Sequence, residues 1–220
     1  LVQFTVTDDD GGVSVVETTV HVRNTSRGSL YIDETWRGTH HLYGEVIVPE
    51  GVALTIESGA RIVIEKDPVS RDYDYALIVK GALIIPGGEV IIGLPDGETG
   101  LWRGIYIEGQ AELSGATVMH ARRGLTALES STVTVTGCVF RGNEVGLHAY
   151  GSSPRITECY FLENTVYGIK EDKGEGSVRR PVVINCRFGA NRYDYYHQGL
   201  AVITLEELNA LEGNQGNRRQ

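Results

Sequence analysis

The chain has 220 residues, 28 of them glycine and 6 proline, and a formal net charge of −9. That length suits one substantial core with a small appendage. The acidic balance argues against a nucleic-acid partner, whose phosphates need a basic face, and no apolar run of about 20 residues offers a membrane-spanning helix.

Residues 1–23 read as a β-hairpin. Leu1 to Thr7 alternates apolar and polar, Asp8-Asp9-Asp10-Gly11-Gly12 turns, and Val13 to Val22 alternates again. Asp8, Asp9 and Asp10 are candidate Ca²⁺ ligands through their carboxylates, although EF-hand spacing is absent and a solvated acidic turn is the favoured reading. The stretch Phe4 to Ser14 resembles the last two strands of a PKD domain, an immunoglobulin-like module of extracellular proteins, which implies an extracellular or cell-surface setting. Two strands alone are marginally stable and have open edges. The hairpin is therefore either the remnant of a larger module or a pair of donor strands that joins its own chain, a second copy or another surface protein. Residues 24–43 read as a linker and N-terminal cap, with His40-His41 in a loop.

Residues 44–204 are a series of short apolar runs punctuated by glycine, such as Val46–Val48, Arg61–Ile64, Ala76–Val79 and Ala82–Ile85. One pattern, Cys-x-Phe-x-x-Asn, then occurs three times, at Cys138, Phe140, Asn143, at Cys159, Phe161, Asn164 and at Cys186, Phe188, Asn191. The cysteines stand 21 and then 27 residues apart, and Lys173 to Val178 can supply the extra six. Ala116 to Ala121 repeats the phase in degraded form, and Gly124-Leu125, Gly146-Leu147 and Gly168-Ile169 step by 22. A period near 21 with the same residue types at the same phase predicts a solenoid. Cys and Phe, two apart, share the inward face of a strand, and Asn sits where the strand turns, in a left-handed conformation that it tolerates well. Stacked at about 4.8 Å, these residues form ladders, with each Asn amide bonded to the copies above and below. Three short strands per coil predict an all-β, single-stranded parallel β-helix of six or seven coils. The thiols then belong to the interior, where disulfide pairing leaves one over and zinc lacks its usual ligand spacing.

These stacked Asn, Cys and Phe residues resemble the right-handed parallel β-helix of the pectate-lyase-like superfamily over residues 44–204. The resemblance implies the fold. It leaves the activity open, because that fold hosts lyases, hydrolases, esterases, adhesins and structural proteins.

A lyase or glycosidase needs a base or acid beside converging carboxylates, and the coils hold few aspartates, most of them in loops. Thr126, His148 and Lys170 occupy one outward phase at 22-residue steps, so His148 and Lys170 are candidate acid/base residues about one rung apart. Tyr193, Tyr195, Tyr196 and His197 form an aromatic cluster that is a candidate ligand or partner surface. Residues 205–220 read as a short capping helix, opened by Thr204-Leu205-Glu206-Glu207, followed by a loose tail. The sequence favours a non-catalytic extracellular structural or adhesive module, self-assembling into an oligomer or filament through its N-terminal strands. A polysaccharide-binding or polysaccharide-degrading β-helix is the alternative. No cofactor beyond candidate Ca²⁺ is implied.

Overall fold

The computed structural model describes residues 2–7, 9–18, 25–174, 179–198 and 201–220. Val2–Thr7 and Val13–Thr18 form the antiparallel hairpin, Val2 opposite Thr18 and Thr7 opposite Val13. It is a sheet of two strands, and among the described residues it pairs with no strand of the rest. Asp9 and Asp10 lie exposed in its turn, and Asp8 lies outside the described residues.

The remainder is a parallel β-helix. Each coil contributes a first, second and third strand, as in Thr132–Thr136, Val139–Arg141 and Val145–Tyr150. Each strand pairs in parallel with its counterpart in the next coil, here Arg155–Thr157, Tyr160–Leu162 and Tyr167–Asp172. The first-strand sheet has seven members, from Glu34–Trp36 to Val182–Ile184. The helix thus begins ten residues earlier than position 44, and the expected linker is largely strand. Thr25–Ser29 pairs in parallel with Thr39–Val48 and covers the leading end. Thr39–Val48 itself turns a corner. Thr39 to Leu42 pairs with Arg61–Ile64 in the second-strand sheet, and Val46 to Val48 pairs with Ala76–Val79 in the third-strand sheet. His40 and His41 are therefore strand residues, one stacked on Trp36 at 4.1 Å and the other bonded to Glu65 at 2.7 Å.

Inside the coils, residues of one phase stack. Phe140, Phe161 and Phe188 are fully buried, with successive ring centroids 5.2 Å apart. Cys138, Cys159 and Cys186 are buried free thiols, each bonded to backbone carbonyls. Gly124, Gly146 and Gly168 leave the space that Phe and Asn fill. A Cβ at Gly146 would lie 2.5 Å from the Gly168 carbonyl oxygen and 2.9 Å from the Phe161 ring.

The corner works differently from the sequence expectation. The left-handed residue is the one before the Asn: Gly142, Glu163 and Ala190 have φ of 63°, 56° and 52°, and His120, before Ala121 at the same phase, has φ of 56°. That turn points the next side chain inward. Each Asn then grips the backbone of the preceding coil more than the neighbouring amides. Asn164 accepts from the Asn143 N–H at 3.1 Å and donates to the Phe140 carbonyl at 3.1 Å. Asn143 does the same to Ala121 and Val118, and Asn191 to Asn164 and Phe161. A single amide-to-amide bond, Asn164 to Asn191 at 2.8 Å, supplements these among the described residues. The motif spacing follows from this. The carbonyl at the Phe position and the N–H three residues later, at the corner, are the two groups that the next coil's Asn must satisfy.

At the far end, helix Leu205–Ala210 is opened by a capping box between Thr204 and Glu207 and buries Leu208. The tail beyond it is fixed rather than loose. Asn217 accepts from the Cys186 N–H at 3.0 Å and donates to the Val183 carbonyl at 2.8 Å, while Asn214 accepts from the Val183 N–H at 2.7 Å. The same three-residue clamp thus closes the other corner of the last coil, and Arg218–Arg219 adds a final strand beside Arg187–Gly189.

Candidate functional site

The outer face of the third-strand sheet gathers four of the residues singled out above, His148, Lys170, Tyr193 and Tyr196. By register, Tyr106, Thr126, His148, Lys170 and Tyr196 form one outward row. Arg123, Val145, Tyr167 and Tyr193 form a second row beside it. Between them lies a groove of about 380 Å³, whose walls include Arg103, Tyr106, Arg123, Glu144, Tyr167 and Lys170.

Aromatic rings and cations alternate along this face. Tyr167 lies 5.7 Å from Tyr193 and 5.2 Å from Tyr196, ring to ring. Lys170 sits over Tyr196 at 5.8 Å, Arg192 over Tyr193 at 5.4 Å and Arg103 over Tyr106 at 5.5 Å. These are cation–π distances that hold the long side chains against the sheet.

His148 and Lys170 are one rung apart, as the spacing predicts, and both bind one carboxylate oxygen. The His148 Nε2 lies 2.8 Å and the Lys170 ammonium 2.5 Å from the same Asp172 Oδ2. Burial pushes the His148 pKa down to about 4, against the pull of Asp172, so the imidazole is neutral at pH 7. Burial also opposes ionisation of Asp172, but its hydrogen bonds from Lys170 and His148 outweigh this and hold its pKa below the usual value. The row is less open than an outward phase suggests. Thr126 and His148 are only 1 % and 4 % exposed, and the Thr126 Oγ1 and His148 Nδ1, on adjacent rungs, have no hydrogen-bond partner.

The C-terminal cluster splits across the strand. Tyr193 and Tyr196 belong to the outer face, but Tyr195 and His197 are buried, 0 % and 3 % exposed. Alternation along Tyr195-Tyr196-His197 places both in the interior, opposite Tyr196. There the Glu171 Oε2 takes the Tyr195 hydroxyl at 2.8 Å and the His197 Nδ1 at 2.7 Å. Burial raises the Tyr195 pKa well above its ordinary value. These two residues therefore serve the core end and are withdrawn as ligand contacts. Tyr106, Arg123 and Glu144 are groove residues that the sequence reading did not select. The repeat step back from Thr126 would have found Tyr106, but a bulge between Gly104 and Ile105 breaks the spacing. No group of three or more His, Cys, Asp or Glu side chains capable of holding a metal ion gathers among the described residues, and no described helix is long and apolar enough to cross a membrane.

Neither a curated protein nor a solved structure gives a significant match to the chain. A family model described as a right-handed β-helix region matches residues 96–215, more than half of the sequence and the part that carries the Asn-clamped coils. The chain belongs to the right-handed β-helix family.

Proposed function

We propose that this chain is a non-catalytic glycan-binding module of an extracellular or cell-surface protein, and that a polysaccharide lies along the outer face of its third-strand sheet. The groove between Tyr106 and Tyr167, with the tyrosine cluster at its end, carries this reading. Tyrosine rings stack on the apolar faces of sugars, and Arg and Lys donate to their hydroxyl and carboxylate oxygens. The row from Tyr106 to Tyr196 crosses four rung steps, roughly 19 Å at the spacing of neighbouring strands, enough for several sugar units. Among the described residues Glu144 is the one carboxylate in the groove wall, and Asp172 is committed to His148 and Lys170, whereas glycoside hydrolysis calls for a converging pair. The pectate-lyase-like coils and the PKD-like hairpin support a polysaccharide partner and an extracellular setting by analogy.

The expected result is that soluble polysaccharides, titrated as a panel of neutral and uronate types, bind the full chain, and that Tyr167→Ala weakens binding about tenfold, the loss of a stacked ring. Equal binding by the variant would overturn the assignment.

Self-assembly is a second reading, favoured by the hairpin's unpaired edges and by Val13 and Val15, 61 % and 50 % exposed. Light scattering on chains with and without residues 1–22 tests it. An oligomer that becomes a monomer supports assembly, and two monomers rule it out.

A further inference from the structure

A different face carries an independent signal. On the outer face of the second-strand sheet one row ends Val139, Tyr160, Arg187, Arg218, each opposite the next in register. Two guanidinium groups therefore stand on adjacent rungs, an arrangement that repels and is ordinarily destabilising. Several surface cations of the coils meet carboxylates: Arg61 meets Asp96 at 2.6 Å, Arg141 meets Glu163 at 2.7 Å and Arg37 meets Glu57 at 2.7 Å. Neither Arg187 nor Arg218 makes an ion pair among the described residues, while its sequence neighbour Arg219 pairs with Asp194 at 3.2 Å.

The two arginines line a concavity of about 560 Å³ with Tyr160, Glu158 and Asn185. Its parts are held in advance. The Arg187 guanidinium lies 5.7 Å from the centroid of the Tyr160 ring, a cation–π distance. The backbone of Arg218 follows Asn217, which is clamped to Val183, Cys186 and Asn209. Two unpaired forks on a rigid ladder match the oxygens of a tetrahedral anion. Glu158 and Asn185 supply hydrogen-bonding groups suited to hydroxyls in the same concavity.

We propose that Arg187 and Arg218 form an oxyanion site that takes the sulfate or phosphate ester of a sugar, separate from the third-strand groove and independent of its assignment. The probes are glucose 6-sulfate, glucose 6-phosphate, glucose, inorganic sulfate and inorganic phosphate, titrated by calorimetry into the full chain. The esters are expected to bind and glucose not to, with both inorganic anions weaker than the esters. The double variant Arg187→Gln, Arg218→Gln should lose at least tenfold in ester affinity. Arg155→Gln, which removes one exposed cation from the first-strand sheet, should bind as the unaltered chain does. Without ligand the double variant should keep a cooperative melt, since the relieved repulsion offsets the lost Arg187–Tyr160 contact; an unfolded product would assign the pair a structural role and overturn the site. Ester binding that survives the double variant, or falls equally in Arg155→Gln, would also overturn it. Inorganic anions binding as tightly as the esters would remove the sugar from the proposal.

Discussion

Asn164→Ala lowers the free energy of unfolding by about 2–6 kcal/mol, because two backbone groups of the preceding coil lose their partner at about 1–3 kcal/mol each. Those groups are the Asn143 N–H and the Phe140 carbonyl, in a corner where Asn143 and Asn164 are both fully buried. Water cannot replace the amide there. The loss extends along the ladder, since Asn191 also gives up its bond from the Asn164 amide. Asn164→Asp is an informative companion. It keeps the acceptor for Asn143 and loses the donor for Phe140. Denaturant titration of the three chains gives the values directly, and an unchanged midpoint for Asn164→Ala would show that the clamp contributes nothing to stability.

Gly146→Val costs about 3 kcal/mol or more through overpacking against atoms that cannot move apart. The obstacle is backbone as well as side chain: the new Cβ would meet the Gly168 oxygen at 2.5 Å, the Phe161 ring at 2.9 Å and the Asn164 amide nitrogen at 3.2 Å. Gly137→Ala is the control. Its φ is 61° and nothing lies within 4 Å of an added Cβ, so only the left-handed conformation is penalised, at about 1 kcal/mol. Thermal melts of the two variants should therefore separate widely. Equal, small shifts would mean that the third-strand glycines are not packed beneath the next coil.

These two sites also show what the sequence made readable. Cys, Phe and Asn recur at fixed phase through three coils, because Phe must fill the interior and Asn must serve the corner. The earlier coils use Ile, Leu and Val interchangeably at the same positions, as with Ile62, Ile92 and Val118 in the second-strand sheet. No single residue type there marks the phase, which is why the strands from Glu34 onward read as a linker. The Asn corners were legible in composition but not in conformation, since the strained torsion is carried by the preceding residue, whose identity varies from His120 to Ala190. Asn214 and Asn217 escaped because their partners are 31 residues away or more.

The candidate site was legible in part. The 22-residue step aligned Thr126, His148 and Lys170 on one row, and the structure keeps them there. Burial was not legible, because the carboxylate that holds His148 belongs to Asp172, 24 residues away on the next coil. Reading Tyr193, Tyr195, Tyr196 and His197 as one patch overlooked strand alternation, which sends Tyr195 and His197 together to the face opposite Tyr196.

The most direct test of the third-strand face is covalent tyrosine footprinting of the full chain with and without the polysaccharide that binds best in the panel. Protection of Tyr106, Tyr167, Tyr193 and Tyr196, with exposed Tyr31 on the leading end unchanged, is the predicted result. Labelling of those four tyrosines that is unaffected by saturating polysaccharide would contradict the account.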